Sequence, residues 1–141
     1  MFAIRRAEPV DEAQLFSLTR AFATTFIPEP EPFAQSFRHL IQQEDAALFV
    51  AERTQELTGY LLGFDHYSLS TNGRISWVEE LMVREDCRRH GLGRELMSTF
   101  ERWALERHSQ LIALATRRAA PFYTAIGYEQ SAVHFRKKLN G

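Results

Sequence analysis

The chain has one cysteine, Cys87, so it holds no internal disulfide and no cysteine-built zinc site, a usage that a reducing compartment permits. It carries no excess of charge of either sign. With 17 Lys and Arg against 18 Asp and Glu, the formal net charge is -1, which leaves no broad basic surface for nucleic acid or for a membrane. No apolar run approaches the ~20 residues of a membrane span, and Met1-Phe2-Ala3-Ile4-Arg5-Arg6 lacks the hydrophobic core of a signal peptide. The histidines His39, His66, His90, His108 and His134 have no metal-ligand spacing, so no metal site is expected. Also missing are the phosphate loop ending in Gly-Lys-Ser/Thr and the dinucleotide Gly-x-Gly-x-x-Gly fingerprint, which disfavours a nucleoside triphosphatase or a hydride transferase. These absences leave a cytoplasmic protein of one domain over residues 1–141, with 45% hydrophobic content to bury in a core.

What is present is a change of hydrophobic period along the chain. Phe2 to Arg6 alternates as a strand; Pro9-Val10-Asp11-Glu12 opens a helix with Leu15, Leu18, Phe22 and Phe26 at helical spacing, which Pro28, Pro30 and Pro32 are expected to end. A second helix is predicted from Phe33 to about Gln43. Strands then follow at Ala47–Arg53, Leu57–Tyr67 and Arg74–Arg84, with Thr71-Asn72-Gly73 as a hairpin signal. A helix from Leu92 to Arg107, a strand at Leu111–Ala115, a short helix at Ala119–Ile126 and a last strand at Ala132–Leu139 complete the chain. The order β-α-α-β-β-β-α-β-α-β predicts an α/β fold, a mixed twisted sheet with an antiparallel first half and a parallel crossover from Ser76 to Ala115.

Between the strand ending near Val83 and the helix from Leu92 lies Arg88-Arg89-His90-Gly91-Leu92-Gly93, followed by Arg94. A strand that turns on glycines into a helix start leaves backbone N–H groups unpaired at the positive end of the helix dipole, which is a seat for phosphate. Gly91 and Gly93 allow positive φ and close approach of the main chain, and the arginines and His90 surround the same point. Alone, the segment reads equally as a plain turn with solvated arginines. Its position outside the carboxyl end of a strand in an open sheet favours a ligand.

With two further segments the chain resembles the GNAT superfamily of N-acetyltransferases over nearly its whole length. Arg88-x-x-Gly91-x-Gly93 is similar to that family's Arg/Gln-x-x-Gly-x-Gly/Ala signature, and Val83-Arg84-Glu85-Asp86-Cys87-Arg88 resembles its lead-in. Phe122-Tyr123-Thr124-Ala125-Ile126-Gly127-Tyr128 resembles its Phe-Tyr-x-x-x-Gly-Phe/Tyr segment, and His134 to Leu139 its last strand. The resemblance implies a GNAT-like sheet and transfer of an acetyl group from acetyl-CoA, through a ternary complex, to a primary amine of a small molecule or peptide. It implies that Leu81, Met82, Val83, Arg88, Arg89, His90, Gly91, Leu92, Gly93 and Arg94 contact the coenzyme. Many members carry Asn seven residues before the helix tyrosine; here Thr116 stands there, with a hydroxyl in place of the amide toward the pantetheine arm. The family often dimerises, which leaves a homodimer open.

Transfer to an amine needs an uncharged nitrogen, and an alkyl ammonium of pKa ~10.4 must first lose a proton. Strict alternation puts Glu79 on one strand face with Ile75, Trp77, Leu81 and Val83, where desolvation would make it a base; Glu80 faces the other way, as the second candidate for base or for gripping a cationic acceptor. The run Trp77-Val78-Glu79-Glu80-Leu81-Met82-Val83 is similar to one in polyamine acetyltransferases. Tyr123, at the position the resemblance marks as general acid, is expected to protonate the leaving thiolate, and a backbone N–H near Leu81 or Met82 to polarise the carbonyl. Phe22, Phe26, Phe33, Phe37 and Phe64 are candidate walls of the acceptor pocket, and Asp65, Glu29 and Glu31 candidate attractors of a cation. Cys87 has no adjacent His-Asp pair, so direct transfer is favoured over an acetyl-enzyme. The alternative reading is a non-catalytic acyl-CoA sensor or interaction domain.

Overall fold

Positive φ angles at Thr54 and Gln55 (52° and 65°) close a two-residue turn that folds β2 (Ala46–Arg53) back on β3 (Glu56–Ser68), and Asn72 (62°) with Gly73 turns β3 into β4 (Gly73–Val83). The computed structural model describes residues 2–140. The remaining elements are β1 (Ala3–Arg6), α1 (Glu12–Phe22), α2 (Pro30–Gln42), α3 (Leu92–Glu106), β5 (Ser109–Leu114) and α4 (Ala120–Ala125). The five strands form one sheet in the order β1-β2-β3-β4-β5. The first three pairings are antiparallel and β4–β5 is parallel, with α3 as the crossover, as the hydrophobic pattern predicts.

Each face of the sheet has its own core. On one, Leu15 and Leu18 of α1 and Phe37 of α2 pack on Leu48, Val50, Tyr60, Leu62 and Met82. On the other, Leu92, Leu96 and Phe100 of α3 pack on Phe49, Ala51, Leu61 and Val78. A Cβ on Gly63 would lie 2.2 Å from Phe100 Cε1, so the bare backbone there forms the socket that receives this ring and fixes α3 across the sheet. Asp65, with its side chain fully buried, accepts from Arg74 at 2.9 Å and from Arg107 at the end of α3. That network ties α3 to β3 and β4.

Three expectations are corrected. The first helix ends at Phe22, because Pro30 and Pro32 act as first-turn residues of α2 and not as terminators of α1; proline lacks an N–H that the first turn leaves unused. Phe26 therefore lies in the connecting loop. The last strand, Ala132–Leu139, has no regular secondary structure, and Val133 and Phe135 are 78% and 87% exposed. The tail instead stacks His134 near Trp77 (ring centroids 6.5 Å apart) and donates from Arg136 to Thr25 Oγ1 at 2.9 Å. An alternating pattern supplies strand propensity but not a partner. Third, the alternation along β4 is broken: Leu62 opposes Glu80 while Gly63 opposes Val78, so Glu79 is the extra residue of a β-bulge. Past it the faces exchange. Val78, Leu81 and Val83 all belong to the α3 face, and Met82 to the other.

Candidate active site

The bulge coincides with a split in the sheet. Pairing between β4 and β5 runs from Arg74–Ser109 to Val78–Leu114 and stops, while β4 continues alone from Glu79 to Val83. The direction of its amides follows from one bond: Arg84 N–H donates to Thr58 O at 2.7 Å. In an antiparallel ladder such pairs alternate, so Met82 and Glu80 also bond toward β3, and the main-chain groups of Leu81 and Val83 point into the split. Val83 O accepts from Arg88 Nε there at 3.1 Å. Of the two candidates, it is Leu81 and not Met82 whose N–H points away from β3.

One end of the split meets the glycine segment. Arg84, paired with Glu56 at 2.5 Å and Asp86 at 2.6 Å, anchors a 3₁₀ turn at Glu85–Cys87. Arg89 and Gly91 then adopt left-handed φ of 70° and 77°. The helical ladder of α3 begins with Glu95 N–H to Gly91 O at 3.0 Å, so the amides of Leu92, Gly93 and Arg94 precede the first intrahelical bond. The side chains of Arg88, Arg89, His90 and Arg94 are exposed around this end, whereas Leu92 is buried and anchors it to the core. A Cβ on Gly91 would meet nothing within 4 Å, which leaves the approach to these amides open. Free amides, dipole and arginines fit a diphosphate. Cys87 is buried with its thiol away from any approach by a substrate.

α4 closes the same end. A Cβ on Gly93 would lie 3.2 Å from Phe122 Cζ, so the second glycine is required for helix contact, whereas the first is required for its φ. Tyr123 is half-buried in the cluster that contains Leu81 and Val83, its ring edge-on to Tyr128 at 6.0 Å, and burial pushes its phenol above the ordinary value. Thr116 Oγ1 accepts from Ala119 N–H at 3.0 Å, a cap on the turn into α4. One lone pair of its oxygen is engaged locally, and its hydroxyl proton remains to donate to a ligand.

The two carboxylates separate. Glu79 is exposed and accepts from Trp77 Nε1 at 3.1 Å, so the expectation of a desolvated Glu79 is corrected by the bulge. Glu80 is half-buried and accepts from Tyr60 OH at 2.7 Å. Tyr60 is buried, and burial with the nearby Glu80 charge raises its phenol far above the ordinary range, so it remains a donor. The sequence reading missed Tyr60; the only signal was its place two residues from the cross-strand partner of Glu80. Both line a cavity of about 510 Å³ between α1, α2 and the sheet. Phe26, Phe33 and Phe37 line it, and so does Glu29. Phe22, Phe64 and Glu31 do not line it, and Asp65 is committed to its arginine pair. Among the described residues there is no group of three or more His, Cys, Asp or Glu arranged for a metal, and no helix long and apolar enough to cross a membrane.

The model of the acetyltransferase (GNAT) family matches residues 13–128. Among solved structures, the chain is similar to a transcriptional regulator from Bacillus halodurans C-125 (23% identity, TM-score 0.87, covering 99% of this chain and 100% of that one). It is also similar to glucosamine-6-phosphate N-acetyltransferase from Arabidopsis thaliana (17%, TM-score 0.88, 99% of each). A third is AAC(6')-Iy in complex with the bisubstrate analogue CoA-S-monomethyl-acetylneamine (16%, TM-score 0.82, 98% of this chain and 99% of that one). At these identities the likeness is one of fold. No curated protein matches the chain.

Proposed function

The chain belongs to the acetyltransferase (GNAT) family, and from that premise we propose that residues 1–141 form a single catalytic domain that transfers an acetyl group from acetyl-CoA directly to a primary amine. The observation that carries the reading is the split between β4 and β5, with Glu80 and the free Leu81 amide on consecutive residues at its start and the α3 amides at its end. The family match and the CoA portion of the analogue in one similar fold support the choice of cosubstrate. A cytoplasmic location, with one buried free thiol, is part of the proposal.

The diphosphate would lie on the amides of Leu92, Gly93 and Arg94, with Arg88, Arg89, His90 and Arg94 around it, and the pantetheine arm along Leu81 to Val83, within reach of the Thr116 hydroxyl. Acetyl-CoA, when bound, supplies an activated thioester carbonyl. The Leu81 N–H polarises that carbonyl oxygen from a main-chain position that needs no reorganisation. Glu80, on the cavity side of the same peptide, accepts the proton from the incoming ammonium, and its bond from Tyr60 holds the carboxylate in one orientation. As nitrogen bonds to the carbonyl carbon and the C–S bond breaks, Tyr123 gives its proton to the departing sulfur and regains one from the acetylated nitrogen; burial holds its phenol above the ordinary value, so it is protonated at neutral pH.

The test is thiol release from acetyl-CoA with a panel of primary amines, together with calorimetric CoA binding. The expected result is amine-dependent release that falls ~10²-fold or more in kcat in Tyr123→Phe, with CoA affinity unchanged. Tight CoA binding without release from any amine would mean an acyl-CoA sensor and end the catalytic reading.

A further inference from the structure

The cavity beside Glu80 has a composition that the amine-transfer reading does not use. Its walls are Leu15, Phe33, Phe37, Leu40, Leu48 and Leu62, and its rim is the loop between α1 and α2, where Phe26 and Ile27 are 67% and 70% exposed. Large apolar side chains left exposed at a cavity mouth are covered when an apolar ligand enters. No Arg, Lys or His lines it among the described residues; the tail cations stay at the rim, Arg136 on Thr25 and Lys138 over the Phe26 ring at 5.2 Å. Among the described residues the only charged lining groups are Glu29 and Glu80. Of the hydroxyls, Tyr60 is spent on Glu80, which leaves Thr19 and Ser36.

Resting on the transfer reading above, we infer that the acceptor is a monoamine with a bulky apolar body, an arylalkyl or long alkyl group, whose single ammonium meets Glu80 while its apolar part fills the space between α1 and α2. A phosphorylated sugar amine finds no cation to pair its phosphate and meets two carboxylates instead. A polyhydroxylated amine would bury hydroxyls against Leu and Phe side chains, at a cost that unpaired polar groups always carry. A polyamine would find Glu29 for one further ammonium, but any third would lie along Leu and Phe side chains that offer it no partner. The cavity volume of about 510 Å³ lies within the usual ~300–1,000 Å³ of small-molecule sites and is far larger than a bare methylamine requires.

The experiment compares kcat/KM with acetyl-CoA for ethylamine, hexylamine, 2-phenylethylamine, spermidine, kanamycin and glucosamine 6-phosphate, with calorimetry of 2-phenylethylamine on the CoA-loaded protein. The expected result is that 2-phenylethylamine and hexylamine exceed ethylamine by at least ~10-fold and exceed the three polar acceptors by more, since each methylene that fills an apolar site is worth about 10-fold or more. In the exposed rim variants Phe26→Ser and Ile27→Ser, which leave the core intact, the ratio of 2-phenylethylamine to ethylamine should fall ~10-fold. Turnover of spermidine, kanamycin or glucosamine 6-phosphate equal to or better than 2-phenylethylamine would overturn the inference and leave amine transfer standing. Absence of release from every amine would remove the transfer reading, and the inference would then fail separately if 2-phenylethylamine also showed no calorimetric binding.

Discussion

Replacement of Gly91 by alanine separates two roles that a glycine at the start of a helix can have. Its φ of 77° is left-handed, and a Cβ built there touches nothing within 4 Å, so the cost in the free protein is conformational alone. That cost is about 1–2 kcal/mol for an L residue held in the left-handed region. For a chain of this length it corresponds to a fall in Tm of roughly 3–8 °C. Binding is affected by a separate route. The open space above Gly91 is where a diphosphate would approach the amides of Leu92, Gly93 and Arg94, and a methyl group would hold it back. Loss of one charge-assisted hydrogen bond costs about 1.5–3 kcal/mol, a ~10- to 150-fold rise in the Kd for CoA. Gly91→Asn is the decisive companion, because asparagine tolerates left-handed φ. The expected outcome is that Gly91→Asn recovers most of the lost Tm but keeps the weakened CoA binding. Calorimetric titration and thermal melts of the two variants measure both quantities. CoA binding within about twofold of the parent in both variants would refute the assignment of this bend as the anion seat.

Four other outcomes follow from the same geometry. Glu80→Gln should lower kcat/KM by ~10²-fold or more, while Glu79→Gln, on the exposed bulge, should leave it within about twofold; steady-state kinetics of the two variants decide which carboxylate takes the proton. Gly63→Ala should cost about 1–3 kcal/mol or more in denaturant melts, because its methyl would sit 2.2 Å from Phe100 Cε1 and α3 must shift. Arg5→Met should destabilise by about 3 kcal/mol, since it strands a carboxylate, Asp11, that is 3% exposed and bonded bidentately at 2.8 and 2.9 Å. The Arg5 bond holds the Asp11 carboxyl below its ordinary value in the folded state, so its contribution is complete above the unfolded pKa of ~3.9 and is lost as pH falls through the folded one. Acid denaturation of Asp11→Asn should therefore be flatter below pH ~4 than that of the parent.

Much of this protein was legible where a local rule suffices. Turn residues marked the β3–β4 hairpin, and the helical spacing of Leu92, Leu96 and Phe100 located α3 and its buried face. The Arg88 to Gly93 segment announced a helix start with free amides, because backbone conformation at glycines and unsatisfied first-turn N–H groups are properties of a few consecutive residues. Boundaries failed where one residue type serves two local roles: prolines that end one helix also begin another, and Pro30 and Pro32 did the latter.

The carboxylate pair shows the limit more sharply. By period alone Glu79 shares a face with Leu81 and Val83, yet one bulged residue reverses the parity, exposes Glu79 and brings Glu80 to Tyr60, which lies 20 positions earlier in the chain. The same holds for Asp65, whose neutralisation by Arg74 and Arg107 depends on three separate elements, and for the expected last strand, whose alternating residues pair with no strand of the sheet.

The amino-acid order by itself determined the element sequence, the glycine bend and the residue types able to move protons, since these depend on dihedral preference and spacing within a turn or two. Only the tertiary structure decided which carboxylate faces the cavity, which amide faces the split in the sheet and how apolar the cavity walls are. Those are set by strand register and by contacts between distant segments, where a shift of one residue moves a side chain to the opposite face of the sheet.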